Sequence, residues 1–442
     1  MTDRLYEARY GRLEDLALLT GKGRYVDDIH LPGMLEVAFV RSPHGHALFH
    51  SINAAAALAL PGVHAVYTHV DVAQTLTSDH IPPDQVVDSF PTTTWPYILP
   101  KDEVCFVGEA VAVVVADTRY IAEDAATLVE VDYESLPVVS NCRKATDPES
   151  PTVHRHAADN IVSRFTTEYG DVEPAFVEAA PIFGFSLKQH RGGAHSIEGR
   201  GVVANYDADS HHLTIWTSTQ SPHKSRDAAV ELFDMDESRV RVIVPDVGGG
   251  FGGKNTVYPE EILTNMASRL LARPVKWIED RREHFLASIQ ERDQEWDVEV
   301  AVDTEARVQG VRGTMYHDQG AYTLLGLHVP HNSSIAVPGP YHIPNYRIEV
   351  LVAETNKVGT IPVRGAGYPE GNFTIERVLD RIARELGMDR AEVRRRNLIP
   401  GDAIPYQMPM KTREGTPMIY ESGDFLHCYE MALEASGYAD FE

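Results

Sequence analysis

Cysteine is scarce in this sequence, and so is positive charge. Three cysteines, Cys105, Cys142 and Cys428, lie far apart, and no C-x-x-C pair occurs. That spacing excludes an iron–sulfur cluster or a structural zinc ribbon held by cysteines of this chain, and the thiols read as scattered and reduced. Against 40 Lys and Arg stand 65 Asp and Glu, a formal net charge of −25. A general nucleic-acid binder needs a basic footprint, and docking on anionic lipid needs the same, so both classes are excluded. No run of about 18 apolar residues appears, and Met1–Glu7 has no signal-peptide apolar core. The expectation is a cytoplasmic chain without a membrane segment. Heptads, low-complexity tracts and repeats of solenoid period are missing too.

What is present starts with size. The 442 residues, 43% of them apolar, are enough for two domains with sizeable cores. One stretch organises the rest: Val242-Ile243-Val244-Pro245-Asp246-Val247-Gly248-Gly249-Gly250-Phe251-Gly252-Gly253-Lys254-Asn255. A β-branched run feeds into five glycines and one phenylalanine. Glycine tolerates positive φ and close approach of another group to the main chain, and successive backbone N–H groups form a nest for anionic oxygens. Three readings compete. A connector does not need the phenylalanine. A P-loop is matched by Gly248, Gly253 and Lys254, but Asn255 stands where a Ser or Thr should hold Mg²⁺, and the next helix start waits until Pro259. The third reading is a loop of fixed shape closing over a cofactor that carries oxo and phosphate oxygens.

Taken in order, the chain reads as α+β. Met34–Arg41 and Val63–Tyr67 are strand-like, and Asn53–Leu60 reads as a short helix stopped by Pro61-Gly62. His44 and His46 alternate on a loop, but two histidines without a third ligand in reach do not make a metal site. Residues 71–100 read as irregular. Val104–Glu109 and Ala110–Asp117 suggest a hairpin, Tyr120–Leu128 a helix and Val129–Tyr133 a strand, closing a self-contained first block of residues 1–150. The second block, 151–442, offers strands at Ile161–Phe165 and Gly184–Leu187. It then offers a hairpin across Asp207-Ala208-Asp209-Ser210, a helix opened by Pro222, a helix over Pro259–Leu271 and a strand at Val275–Ile278. A hairpin turns at Asp303-Thr304-Glu305. Asp318–Pro340 lacks periodicity, and long loops of this kind are often functional. Val363-Arg364-Gly365-Ala366-Gly367-Tyr368-Pro369-Glu370 is a second glycine-bearing loop. It feeds a helix with the stripe Ile375, Val378, Leu379, Ile382, Ala383 and Leu386, closed by Gly387. Asp389 and Glu392 form a capping box for the next short helix. The tail to Glu442 shows no obvious final element.

These motifs together resemble the xanthine dehydrogenase/aldehyde oxidase family of molybdenum hydroxylases. Val244–Lys254 is matched at the right distance by Arg364-Gly365-Ala366-Gly367-x-Pro369-Glu370. Leu19–Asp28 is similar to the opening of that family's a/b hammerhead domain. Ser218-Thr219-Gln220-x-Pro222-His223, Arg273–Trp277 and Asp318-x-Gly320-Ala321-Tyr322 are similar to its first molybdopterin-binding domain. The resemblance implies a hammerhead domain with an N-terminal arm at 1–150 and the cofactor domain at 151–442. It implies a molybdopterin cofactor, expected as the cytosine dinucleotide form, and oxygen from water placed on an electron-poor carbon of an N-heteroaromatic ring or an aldehyde. Electrons would leave through [2Fe-2S] clusters and FAD on partner chains. Gly250, Phe251 and Gly252, with Arg364, Gly365 and Ala366, would flank the cofactor. The amide of the Phe251 loop would stabilise charge on an oxygen of the metal, as preorganised donors do in an oxyanion hole.

Departures from the family pattern matter. Asn255 stands where purine oxidisers carry Glu, and His331 or Asn332 where they carry a clamping Arg, which argues against xanthine. Val363 and Ala366 would give a flat apolar slot, with His331, Asn332 and Asn255 at its polar edge. Near the metal, where many relatives carry Gln, Gly192 stands in register, with Gln189 or Gln220 as stand-ins. No Gly-Glu-Gly-type segment follows Pro400. The family's Glu base is therefore expected on a second molybdopterin-binding chain, as in split large subunits of nicotinate-dehydrogenase type. A P-loop NTPase and a non-catalytic scaffold subunit are the competing functions.

Overall fold

The computed structural model describes residues 12–82, 95–178, 181–325, 327–412 and 415–441. Strands form where residues alternate or run apolar. In chain order they are β1 (Leu35–Arg41), β2 (Ala47–Asn53), β3 (Val63–Tyr67), β4 (Glu103–Val104), β5 (Ala110–Ala116), β6 (Glu130–Ser135), β7 (Ile161–Tyr169), β8 (Ile182–Gly193), β9 (Gly201–Asp207), β10 (His212–Thr217), β11 (Val240–Ile243), β12 (Val275–Ile278), β13 (Gln290–Val302), β14 (Val308–Gly320), β15 (Tyr346–Glu354), β16 (Tyr406–Lys411) and β17 (Pro417–Tyr420). The longer helices are α1 (His69–Thr75), α2 (Arg119–Ala126), α3 (Val172–Glu178), α4 (Pro222–Phe233), α5 (Pro259–Leu271), α6 (Arg281–Ala287), α7 (His328–Ala336), α8 (Tyr368–Leu386), α9 (Arg390–Asn397) and α10 (Phe425–Ser436). No described helix is long and apolar enough to cross a membrane.

The strands make a seven-stranded sheet in the order β11-β10-β9-β12-β1-β5-β3 and a five-stranded sheet β7-β15-β14-β13-β8. A small sheet β4-β2-β6 and the ribbon β16-β17 complete them. The seven-stranded sheet draws strands from both halves of the chain: β1 lies parallel to β12, Leu35 opposite Val275. The first 150 residues are therefore not self-contained. Strand β5, all seven residues buried, explains why. A strand apolar on both faces needs strands on both sides and layers above and below, and β5 finds them between β1 and β3. For the same reason 104–109 and 110–117 do not pair as a hairpin. The short β4 pairs with β2 instead, a strand that the sequence hid because only one of its faces is apolar.

Two cores follow. Leu213, Ile215, Leu232, Ile262, Met266 and Trp277 pack α4 and α5 onto the larger sheet. Trp296, Val350, Ile375, Val378, Leu379 and Ile382 pack α8 onto the five-stranded one. The expected hairpins, β9–β10 and β13–β14, form in register. Three further expectations fail. Residues 328–336 are helical although Pro330, Ser333 and Ser334 are poor formers, because tertiary burial overrides propensity there. The tail carries β16, β17 and α10, which pack Tyr406, Tyr420 and Phe425 against the second core. Residues 69–75 are a helix capped by Thr68 and Asp71, while 83–94 of the expected irregular stretch fall outside the described residues. Of the N-terminal arm, 1–11 also fall outside them, and the turn Asp15–Leu19 leaves Leu16 and Leu19 exposed.

Burial of Glu261 on α5 gives a first testable consequence. Its carboxyl accepts from the hydroxyls of Thr217 and Ser225, and burial outweighs these bonds and the charge of Arg200 and pushes its pKa up to about 7. Between the ordinary 4.5 and about 7 the folded chain keeps a proton that the unfolded chain has lost. Stability contributed by this group is full below about pH 4.5 and falls as pH rises to about 7. Glu261→Gln should flatten that part of the profile, by an amount on the order of 3 kcal/mol at most. Urea midpoints of both chains from pH 5 to 8 check it, and parallel profiles would contradict it.

Candidate functional site

Strand β11 delivers the chain to the glycine loop, and α5 takes it away. Between them Gly249 has φ +106°, Phe251 φ +52° and Gly252 φ +109°. Phe251 in the left-handed region is a strained residue held by its surroundings, the kind of outlier that marks working loops. The residue is 46% exposed. The second loop repeats the pattern, with positive φ at Gly365, Ala366 and Gly367. The N–H of Arg364 donates to the carbonyl of Phe251 at 2.8 Å, so the two loops are joined directly. Gly252 is required at that joint: a Cβ there would lie 2.3 Å from the Pro362 carbonyl oxygen.

Two side chains fix the first loop from below. Gln220, following β10, accepts from the N–H of Gly252 at 2.8 Å, and more distantly from Lys254. Glu198 accepts from the Gly248 N–H at 2.7 Å, from Lys254 Nζ at 2.9 Å and from the Ser218 hydroxyl at 2.6 Å. No described residue accepts from the N–H of Gly249, Gly250 or Phe251. Three successive donors at a loop crest, fixed on both flanks, make the nest that an anionic oxygen ligand fits.

Lys254 decides against the P-loop. Its side chain is 4% exposed and turned inward to Glu198 and Ser218. Burial pulls its pKa down, against the opposing pull of Glu198. A lysine so engaged cannot reach a phosphate on the other side of the loop. Asn255 is also committed: its amide oxygen accepts from Ser221 Oγ at 2.5 Å, at the start of α4.

The second loop rests on α7, the helix that the sequence concealed. Asn332 Nδ2 donates to the Ala366 carbonyl at 2.8 Å, and a Cβ on Gly367 would meet the Val329 carbonyl at 2.4 Å. His331, one residue earlier, stacks on Phe165 of β7 with ring centroids 6.1 Å apart. Val363 is buried, and its carbonyl accepts from the Ala366 N–H. Of the three candidates for a Gln near the metal, Gln220 meets the glycine loop. Gln189 donates instead to the Glu370 carbonyl in the first turn of α8, and Gly192 pairs with Glu291 within the sheet. Glu198 had no signature in the sequence, since its role depends on a turn that brings Gly248, Ser218 and Lys254 to one carboxylate.

Fold and site define a class: an α+β chain with two glycine loops joined by a backbone hydrogen bond, the first presenting three N–H groups to which no described residue is an acceptor. The comparisons agree with that class. The molybdopterin cofactor-binding domain family matches residues 153–398, and the aldehyde oxidase and xanthine dehydrogenase a/b hammerhead domain matches residues 20–137. The nicotine 6-hydroxylase large subunit of Paenarthrobacter nicotinovorans is 36% identical over 437 residues, 98% of this chain and 52% of that protein. The nicotinate dehydrogenase large molybdopterin subunit of Eubacterium barkeri is 28% identical over 393 residues, 87% of each. Quinoline 2-oxidoreductase from Pseudomonas putida 86 superposes with a TM-score of 0.90 at 36% identity, over 98% of this chain and 54% of that one. The chain thus spans about half the length of the first and third of these. It belongs to the xanthine dehydrogenase/aldehyde oxidase family of molybdenum hydroxylases, as a hammerhead domain followed by a molybdopterin-binding domain.

Proposed function

We propose that this chain is the pterin-cradling part of a molybdenum hydroxylase acting on an electron-poor carbon of an N-heteroaromatic compound. The observation that carries the reading is the crest of the glycine loop, where the amides of Gly249, Gly250 and Phe251 point to no described acceptor. The residues present fit the group: backbone donors suit its oxygens, and the Arg364–Ala366 loop brings a guanidinium and a small side chain beside them. When bound, molybdopterin supplies a two-electron oxidation in which water oxygen is placed on carbon. Gly250 and Phe251 hold its oxygen side, Gly252, whose N–H is taken by Gln220, is the joint behind them, and Arg364, Gly365 and Ala366 flank it. Residues 151–442 are read as the cofactor domain and 1–150 as the hammerhead with its arm.

Heteroaromatic substrates are favoured over aldehydes because the names of the relatives cited above speak of nicotine, nicotinate and quinoline. Val363 and Ala366 line the slot for a flat ring. His331, stacked on Phe165 and next to Asn332 on α7, is assigned to its polar edge. Asn332 and Asn255, whose amides are already hydrogen-bonded within the chain, position the two loops rather than touch substrate. The cytosine dinucleotide form of the cofactor, a second molybdopterin-binding chain bearing the Glu base, and partner chains carrying [2Fe-2S] clusters and FAD complete the proposal. The assembly would work in the cytoplasm.

Metal and pterin analysis of the complex isolated with its partners tests this, together with turnover in oxygen-labelled water. One molybdenum and one pterin per chain, and label in a hydroxylated heterocycle, are expected. An active preparation without molybdenum would end the proposal.

A further inference from the structure

A second cluster of metal-ligating atoms lies away from the glycine loops, in the hammerhead. His46 precedes β2, Glu103 lies on β4 and Cys105 follows it. His46 Nε2 is 3.0 Å from Glu103 Oε1, and the three ligand atoms, with Cys105 Sγ, lie within 4.8 Å of one another. His46 is 4% exposed and Cys105 1%. A fourth group stands beside them: His154 Nδ1 is 3.3 Å from Cys105 Sγ.

The orientation of both imidazoles is the informative part. His46 Nδ1 meets the Pro137 carbonyl at 2.8 Å. His154 Nε2 meets the Ala321 carbonyl at 2.6 Å. A carbonyl only accepts, so each of these nitrogens carries its ring's proton, and the other nitrogen of each ring is aimed at the cluster. A histidine fixed through one N–H to a backbone carbonyl, with its other nitrogen presented, is the arrangement that metal-binding histidines use. Glu103 is held as well, accepting from the Arg155 N–H at 2.9 Å.

We propose that His46 Nε2, Glu103 Oε1 and Cys105 Sγ bind one divalent transition-metal ion, zinc by ligand type, with His154 Nδ1 as the fourth ligand. A set of two nitrogens, one thiolate and one carboxylate suits zinc and excludes magnesium or calcium. Metal–ligand bonds of about 2.0–2.3 Å put tetrahedral ligand atoms roughly 3.3–3.8 Å apart, so closing the site moves His46 and Glu103 slightly apart and brings Cys105 Sγ, within 4.8 Å of both, to that spacing. One thiolate and one carboxylate balance the charge of the ion. The thiol proton and any proton on His46 Nε2 leave to solvent past the half-exposed Arg155. The ion would staple the hammerhead's small sheet to the start of the second domain, through His154 and its bond to Ala321. This site is independent of the molybdopterin reading.

Cobalt(II) titration of the full chain tests it, because a thiolate ligand gives a charge-transfer band in the near ultraviolet. One equivalent bound with that band is expected. Cys105→Ser should abolish the band, His46→Gln should weaken binding at least tenfold, and Cys428→Ser, at an exposed thiol elsewhere, should change neither. Should Cys105→Ser fail to fold, the unaltered chain and His46→Gln still decide. Cobalt bound without a thiolate band, a band that survives Cys105→Ser, or no uptake by the unaltered chain would each overturn the assignment. The last result would leave His46 and Glu103 as a simple ion pair beside a neutral thiol.

Discussion

Arg200→Met is expected to cost about 3–5 kcal/mol of stability, the range for removing one partner from a buried ion cluster. The Arg200 side chain is 5% exposed and bridges two carboxylates, Glu260 at 2.9 Å and Glu279 at 2.6 Å. Its guanidinium lies over the rings of Tyr258 and Trp277, 4.0 Å and 5.1 Å from their centroids. Arg41 and Glu283 extend the cluster. Burial pushes the Glu279 pKa up, but the charge of Arg200 and the hydrogen bonds of His284 outweigh it and hold the carboxyl well below its ordinary range. A depressed carboxylate contributes stability above the unfolded pKa and loses it as pH falls. Without Arg200 the largest opposing charge is gone while the hydrogen bonds of His284, Ser288 and the residue-200 N–H remain, so the depression shrinks and the variant loses less stability than the parent as pH falls. Urea midpoints at neutral pH measure the loss, and midpoints taken down through the ordinary carboxylate range measure the shallower slope. A methionine of similar volume limits the effect to the charge rather than to a cavity. The consequence reaches the site, because the Tyr258 hydroxyl under Arg200 donates to the Gly253 carbonyl at 2.5 Å. The cluster therefore braces the far end of the glycine loop.

That brace shows where reading the sequence stops. The glycine loop, the second loop and helices α5 and α8 were legible, because positive-φ residues, N-terminal prolines and a 3–4 apolar stripe are local signals. Gly367 and Gly387 bound α8 as expected of glycines in the left-handed region. Nothing local told which strands share a sheet: β1 meets β12 only because β5 needs neighbours on both sides. Nor could spacing reveal that Glu198 would gather Gly248, Ser218 and Lys254, or that Arg364 would bond to Phe251. Helix α7 was hidden for a related reason. Its Ser333 and Ser334 are fully buried with their hydroxyls on the backbone, at Val329 and His331, so burial and not propensity makes the helix. His44 and His46 looked short of a third ligand, since nothing local told that β4 would pair with β2 and bring Glu103 and Cys105 beside His46.

Gly252→Ala should have the largest effect on cofactor retention. At φ +109° an L side chain is strained by about 1–3 kcal/mol whatever surrounds it. Here the added Cβ would also lie 2.3 Å from the Pro362 carbonyl oxygen and 2.9 Å from Val363 Cα, both backbone atoms with no rotamer to move. The loops must part, and the Arg364–Phe251 hydrogen bond that joins them must lengthen. If the two loops together hold the pterin, molybdenum per chain in the purified complex should fall at least tenfold while far-ultraviolet circular dichroism stays unchanged. Gly387→Ala separates strain from site. It too has positive φ, +63°, but a Cβ there meets nothing within 4 Å. It should cost only about 1 kcal/mol and leave molybdenum content at its original value. Equal loss of molybdenum in both variants would mean that general destabilisation empties the site. Full retention in Gly252→Ala would mean that the pterin does not depend on the joint between the loops.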